Sequence, residues 1–322
     1  MRFCALSEAR AGKVPLVSSM FTFTNAITIA ALLLFSACSE DAPAQDASDA
    51  GCEGGLACAT WLEDYEREIV YKLAGGMPIA DGVTIAQRFT AEQREIVRVY
   101  LETELQLHDL SPERHNYGTG TNIFATLPAT TATTATVLVG AHFDSIETSP
   151  AAADNGTGTA LVLAAARYFA DQPERSWNYL FVFFDEEETG LIGSQAFADK
   201  IRTEQLDVRA VHNIDLVSWD EDGDGAVELW SPDPGLQALY EQVGEERGVI
   251  VQSVEFGSSD HASFIGINLP TVGVSEEFVS GDANPHYHTP EDTAEKVDYA
   301  YMKRISELAF EVLSIGPAAA GS

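Results

Sequence analysis

The chain has 322 residues, 45% of them hydrophobic, enough for a sizeable buried core and too apolar for a disordered protein. Its 50 acidic and 18 basic side chains give a formal charge of -32 at pH 7. Such a field repels phosphate backbones and anionic bilayers, so nucleic-acid binding is set aside.

Taken in chain order, Arg2, Arg10 and Lys13 precede an apolar run from Ala26 to Phe35 and a small-residue boundary at Ser36-Ala37-Cys38. That is the order of a secretory signal, and the run is too short to span a bilayer as a mature helix. The boundary resembles that of bacterial lipoproteins, which implies removal of residues 1-37 and a lipid anchor on Cys38 at a cell envelope membrane. Ordinary export to the periplasm or medium, with Cys38 unmodified, is the alternative. Residues 38-59 are small and acidic, with too little apolar surface to offset the entropy of ordering, and read as a tether. Cys52 and Cys58 suit a small disulfide in an oxidising compartment and are too few to hold zinc by themselves.

Apolar periodicity begins near Trp61, no solenoid-like repeat is present, and one globular domain over residues 60-318 is expected. Glu92 to Leu107 has helical spacing. Asn122 to Leu127 and Ala135 to Val139 read as strands joined by a Thr- and Ala-rich connection, and pair naturally as a hairpin. Helix is then predicted for Thr157 to Ala170, buried strand for Tyr179 to Phe184, helix for Ser194 to Ile201 and strand for Ala210 to Val217. Pro234 to Glu246 reads as helix, Val249 to Phe256 as extended, Asp260 to Phe264 as a short helix, Pro270 to Ser275 as strand and Tyr299 to Leu313 as a closing helix. This alternation predicts an α/β fold, a mixed and mostly parallel sheet with helices on both faces.

Acidic and histidine side chains gather where those strands should end: His142 and Asp144, Asp154, Glu187 and Glu188, and Asp215, with His288 in a late loop. Imidazole nitrogen and carboxylate oxygen are zinc ligands, and a two-ion site needs about six or seven donors with one shared. Taken singly, each is more often a structural or solvated group. The acidic run Asp185-Glu186-Glu187-Glu188, however, follows directly on the apolar strand Leu180 to Phe184, and charge so close to a buried strand needs compensation.

Six stretches in order are Gly140-Ala141-His142-Phe143-Asp144-Ser145, Ala153-Asp154-Asn155-Gly156-Thr157-Gly158, Glu187-Glu188-Thr189-Gly190-Leu191-Ile192-Gly193-Ser194, Asn213-Ile214-Asp215, Ser259-Asp260-His261-Ala262-Ser263-Phe264 and Tyr287-His288-Thr289. With these motifs the chain resembles, over roughly Trp61 to Ile315, the zinc exopeptidase family of the secreted bacterial leucyl aminopeptidases, whose relatives include glutamate carboxypeptidases, glutaminyl cyclases and the transferrin receptor ectodomain. The resemblance implies a three-layer α/β/α sandwich and two Zn2+ per chain, one on His142 and Asp215, the other on Glu188 and His288, with Asp154 bridging. It further implies that Glu187 is the general base for a metal-activated water, and that the substrate is a peptide with a free amino terminus. Asp144 is suited to accept the other imidazole proton of His142. Tyr287 matches a tyrosine that some relatives use to stabilise the oxyanion, the alternative being a ring packed on the site wall. Asp260 and His261 are read as loop supports, and His212 and His286 carry no ligand role.

Asp220, Asp222 and Asp224 are spaced like the opening of a calcium loop, but Ser231 stands at the twelfth position, so an acidic turn is preferred to a Ca2+ site. Competing readings are a single-zinc glutaminyl cyclase, a carboxypeptidase that would need cations such as Arg114, Arg175 or Arg209 at the site, and a receptor-like binding domain that would lack ligands. A monomer is expected.

Overall fold

Tyr179 to Phe184 is an unbroken apolar run, and a strand without a polar face belongs in a sheet covered on both sides. The computed structural model describes Leu56 and residues 59-317. The signal segment, Cys38, most of the tether and the Cys52 and Cys58 pair lie outside the described residues. Eight strands form one sheet in the order β1-β2-β4-β3-β5-β8-β6-β7. They are β1 Pro112–Tyr117, β2 Gly120–Leu127, β3 Thr136–His142, β4 Asn178–Phe184, β5 Val208–Ile214, β6 Val227–Trp230, β7 Val251–Val254 and β8 Thr271–Ser275. The β4-β3-β5-β8 core is parallel, whereas β1, β2 and the β6-β8 pairing are antiparallel, so the sheet is mixed.

The strand period of two sorts the core into two layers. Tyr179, Phe181 and Phe183 of β4 and Val137, Val139 and Ala141 of β3 face one layer. Leu180, Val182 and Phe184, with Leu138 and Val211, face the other. The first layer is covered by α1 Leu62–Leu73, α2 Ala91–Leu107, α3 Gly158–Ala170, α5 Pro234–Arg247 and α7 Tyr299–Ile315; the second by α4 Ile192–Glu204 and α6 His261–Ile265. A three-layer α/β/α sandwich results.

The expected hairpin between Asn122 to Leu127 and Ala135 to Val139 does not form, because β4 lies between β2 and β3. The Thr- and Ala-rich connection crosses the start of β4 instead: Ala129 N–H donates to Asn178 Oδ1 at 3.0 Å, Thr130 N–H to the Arg175 carbonyl at 2.9 Å, and Asn178 N–H to the Ala135 carbonyl at 3.0 Å. Burial is the reason. β3 is apolar on both faces and belongs in the centre, whereas β2 pairs outward with the polar edge strand β1. β1, with the sequence Pro-Glu-Arg-His-Asn-Tyr, has no apolar alternation by which it could have been predicted, and β6 is only four residues long.

From β3 the chain passes through α3 on one face to β4, then through α4 on the other face to β5, on the opposite side of β3. Such a reversal opens a crevice at the carboxyl ends of the strands, where a site is expected.

Candidate metal centre

The carboxyl ends of β3, β4 and β5 deliver His142, Glu187 and Glu188, and Asp215 to this crevice, the kinked turn Ala152–Thr157 brings Asp154, and a loop after β8 brings His288. Glu186, Leu216 and His288 have positive φ (61°, 56° and 58°), so backbone in a region that side chains rarely occupy sits at or beside three donor positions. The glycine turn after Glu188 is equally constrained: a Cβ on Gly193 would collide with the Asp185 carbonyl and the Asn122 side chain.

Asp154 faces both histidines, one with each oxygen. Its Oδ1 lies 3.2 Å from His142 Nε2 and its Oδ2 2.9 Å from His288 Nε2. Asp215 Oδ1 completes one group at 3.5 Å from His142 Nε2, and Glu188 Oε2 completes the other at 3.2 Å from His288 Nε2. His142, Asp154 and Asp215 can therefore converge on one cation, and Asp154, Glu188 and His288 on a second. The first group is buried, whereas Glu188 and His288 are half-buried, so the crevice opens over the second.

The donors are held from behind. Asp144 accepts the backbone N–H groups of Glu187 at 3.1 Å and Glu188 at 3.2 Å, and its Oδ1 lies 3.4 Å from His142 Nδ1. It touches the imidazole as expected and also ties β3 to the loop after β4. Ser259 donates to Asp215 Oδ2 at 2.6 Å, which leaves Oδ1 to face His142. Asp292 accepts from the Ala153 N–H at 2.8 Å and from the Asp154 N–H at 3.3 Å, while the Asn155 amide donates to the Ile214 carbonyl at 2.8 Å. The acidic run divides sharply. Asp185 is buried against Arg94 at 2.7 Å and Arg98 at 2.8 Å on α2, and Glu186 pairs with Arg94 at 3.2 Å, so only Glu187 and Glu188 serve the crevice.

The electrostatics show what these residues require. Burial, then the negative charges of Asp260, Asp215 and Asp154, pushes the Glu187 carboxyl up to about 10 against the pull of His142. Burial also raises Glu188. Burial disfavours the charged ring of His142, but the carboxylates of Glu187 and Asp215 and contacts with Asp144 and Asp154 outweigh it and raise the group well above its ordinary value. Burial similarly opposes charging of His288, yet Asp154 and Glu188 hold it at about 10. Asp215 Oδ1 and Glu188 Oε1 are buried without a hydrogen-bond partner. A buried set of carboxylates that pulls protons onto imidazoles and leaves acceptor atoms unmatched lacks positive charge, and its nitrogen and oxygen donors suit divalent zinc. The residues present fit a metal pair.

The remaining predicted residues lie close by or are engaged elsewhere. The Tyr287 ring stacks on His288 at 3.8 Å and meets Phe278 edge-on at 5.0 Å, continuous with Trp230 and Phe256 in an aromatic wall. His261 Nε2 contacts the Phe256 carbonyl at 2.7 Å, and His212 lies against Tyr240, both in supporting positions. Arg175 donates to the Pro128 and Gln172 carbonyls, Arg209 pairs with Asp207, and Arg114 pairs with Glu95 and Glu102, so all three candidate cations are committed elsewhere. No local spacing marks Asp292 as a support for Asp154. Asp220 and Asp222 converge with Asp282, and Asp222 and Asp224 with Glu277, drawing in two carboxylates that local spacing could not reveal.

A three-layer α/β/α sandwich whose crevice gathers imidazole and carboxylate groups that could hold a metal ion is the scaffold of a candidate metal-dependent hydrolase. Residues 122–313 match the profile of peptidase family M28, and the chain belongs to that family. It is 32% identical over 188 residues to aminopeptidase YwaD of Bacillus subtilis, covering 53% of this chain and 39% of that one. The chain spans about half the length of the curated relatives it matches. Among solved structures, the Legionella pneumophila LapA aminopeptidase superposes with a TM-score of 0.70 at 21% identity, over 80% of this chain and 74% of that one, a likeness of fold. A zinc aminopeptidase of Bacillus subtilis superposes with a TM-score of 0.56 at 26% identity, over 60% of this chain and 49% of that one.

Proposed function

We propose that this chain is a two-zinc metallo-aminopeptidase that removes the amino-terminal residue of peptides. The observation that carries the reading is the placement of the two Asp154 oxygens, one toward His142 and one toward His288, as a bridging carboxylate requires. His142 and Asp215 would hold one ion, Glu188 and His288 the other. Bound there, the ions would supply Lewis acidity, polarising the scissile carbonyl and easing ionisation of water.

The chain's own groups supply the remainder. Glu187 is half-buried, its backbone is fixed by Asp144, and it is the acid-base group of the crevice: it takes one proton from the attacking water and delivers it to the departing amine nitrogen as the C–N bond breaks. Cations bound beside it would offset the burial that raises this carboxyl and leave it ionised to accept that proton. The net negative crevice favours a substrate bearing a free, positively charged amine, and the aromatic wall of Trp230, Phe256, Phe278 and Tyr287 favours an apolar first side chain. Tyr287, stacked on His288, would assist at the reacting carbonyl.

The cyclase reading needs one metal and leaves the second donor group without a purpose, and the carboxypeptidase reading lacks its cation patch. Around this centre the reading is completed by a catalytic domain over residues 60-318, a monomer, and export with a lipid anchor at Cys38. The acidic turn at Asp220, Asp222 and Asp224 is a candidate for Ca2+ only as a separate, structural ion.

The test is hydrolysis of aminoacyl and amino-terminally blocked chromogenic peptides with and without chelator, with bound zinc counted in parallel. Chelator-sensitive cleavage of free-amine substrates alone, with close to two zinc per chain, supports the reading. Cyclisation of amino-terminal glutamine with one zinc replaces it, and zinc without turnover points to a binding domain.

A further inference from the structure

Arg88, in the segment between α1 and α2, has a guanidinium with no exposed surface. Among the described residues it makes no ion pair; its donors go to backbone carbonyls. Nε binds Phe143 O at 2.7 Å, one terminal nitrogen binds Leu73 O and Pro150 O, each at 2.9 Å, and the other binds Ala151 O at 2.8 Å. Its backbone is fastened to the same loop, since Arg88 N–H donates to Ser145 Oγ at 2.9 Å and Ser145 N–H to the Arg88 carbonyl at 3.3 Å. The charges that act on it most strongly are the carboxylates of Asp292, Asp154, Asp144 and Glu188.

A guanidinium is costly to bury unless it is hydrogen-bonded, and here each of its three nitrogens donates, to four carbonyls from three chain segments in all. Two of them, Phe143 and Ala151, bracket the loop 144-150. Phe143 follows His142 directly, and Ala151 opens the turn that carries Asp154. One planar group thus grips both ends of the loop that separates the first histidine from the shared aspartate.

We propose that Arg88 is a positioning residue of the metal centre, a rigid fork that sets the spacing of His142 and Asp154 on which both donor groups depend. The proposal rests on the two-zinc reading. A lysine at this position keeps the charge but replaces the planar fork by a single ammonium that cannot reach four carbonyls in the same geometry. Zinc affinity of the Arg88→Lys variant therefore reports geometry rather than charge.

The experiment compares the full-length wild type and Arg88→Lys by zinc dissociation constants from chelator competition, melting temperatures with and without zinc, and kcat and KM on an aminoacyl chromogenic substrate at saturating zinc. Arg88→Lys is expected to weaken both zinc equivalents about tenfold or more, the range found when groups that orient metal ligands are removed. It should also shrink the zinc-induced rise in melting temperature and lower kcat more than it raises KM. Zinc constants within twofold of wild type, with only a lower melting temperature of the zinc-free protein, overturn the proposal and leave Arg88 a core fastener. If Arg88→Lys does not fold, Ser145→Ala decides: a severalfold loss of zinc affinity sustains the proposal and unchanged affinity overturns it. A wild type that binds no zinc defeats the metallopeptidase reading itself, an outcome distinct from a zinc-replete wild type matched by its variant.

Discussion

The carboxylate of Asp292 receives the backbone N–H of Asp154 at 3.3 Å across 138 residues of chain, and that of Ala153 at 2.8 Å. Asp292 also lies four residues beyond His288. The turn that carries Asp154 and the loop that follows His288 are thereby fastened to one another.

Replacing Asp292 with Ala should therefore loosen Asp154 and reduce zinc affinity about 10- to 100-fold. Asp292→Asn, which retains one carbonyl acceptor, should lose less. Chelator competition on the two variants reads the difference, and equal affinities for wild type and Asp292→Ala would remove Asp292 from the centre.

Glu187 and Asp154 should separate proton transfer from metal binding. Glu187→Gln is expected to lower kcat by roughly 10²- to 10⁴-fold, the usual contribution of a positioned acid-base group, with zinc content unchanged. Asp154→Ala should lose both ions, because among the described residues only this carboxylate faces both histidines. Zinc counting beside turnover checks both variants, and equal zinc loss in the two would undo the division of roles.

Glu66 of α1 is buried against Ser306 of α7, which donates to Oε1 at 2.5 Å, while Oε2 has no partner. Burial raises its carboxyl from the ordinary 4.5 to about 8. The folded state thus holds the proton more tightly than the unfolded chain. Its stabilising contribution is complete below pH 4.5, declines as pH rises to about 8 and is constant above that. Glu66→Gln removes this dependence. The variant should gain stability relative to wild type as pH rises, by on the order of 3 kcal/mol at most near pH 7. Denaturant melts of both proteins across that window check the sign.

Phe278 lies in the aromatic wall that continues into Tyr287 and His288. Phe278→Ala should cut kcat/KM for leucyl and phenylalanyl substrates about 10- to 100-fold more than for alanyl ones, the scale of a few methylene groups in an apolar pocket. A uniform loss over all three would place the wall outside the substrate's reach.

Much of the core was legible in the sequence because buried parallel strands carry an unmistakable apolar signal, as in Leu180 to Phe184, and because the donors follow such strands at once. The polar edge strand β1 was not legible, since pairing with β2 requires no apolar face of its own. The pairing of β2 with β3 was misread for a related reason: strand periodicity specifies which face is buried but not which neighbour is adjacent. That choice fell to burial of β3 in the centre and to the connection anchored on Asn178.

By itself, then, the sequence determined the alternation of elements, the two-sided burial of the central strands and which imidazole and carboxylate groups are candidates for the crevice, all written in side-chain chemistry and short-range spacing. Only the tertiary structure decided that Asp185 and Glu186 turn to arginines on α2 while Glu187 and Glu188 turn to the crevice, and that Asp292, Ser259 and Arg88 hold the donors in place. The physical reason is that these supports act through hydrogen bonds and ion pairs, several to backbone groups and most between segments far apart in the chain. Such bonds depend on where loops close and leave no periodicity in the residues that make them.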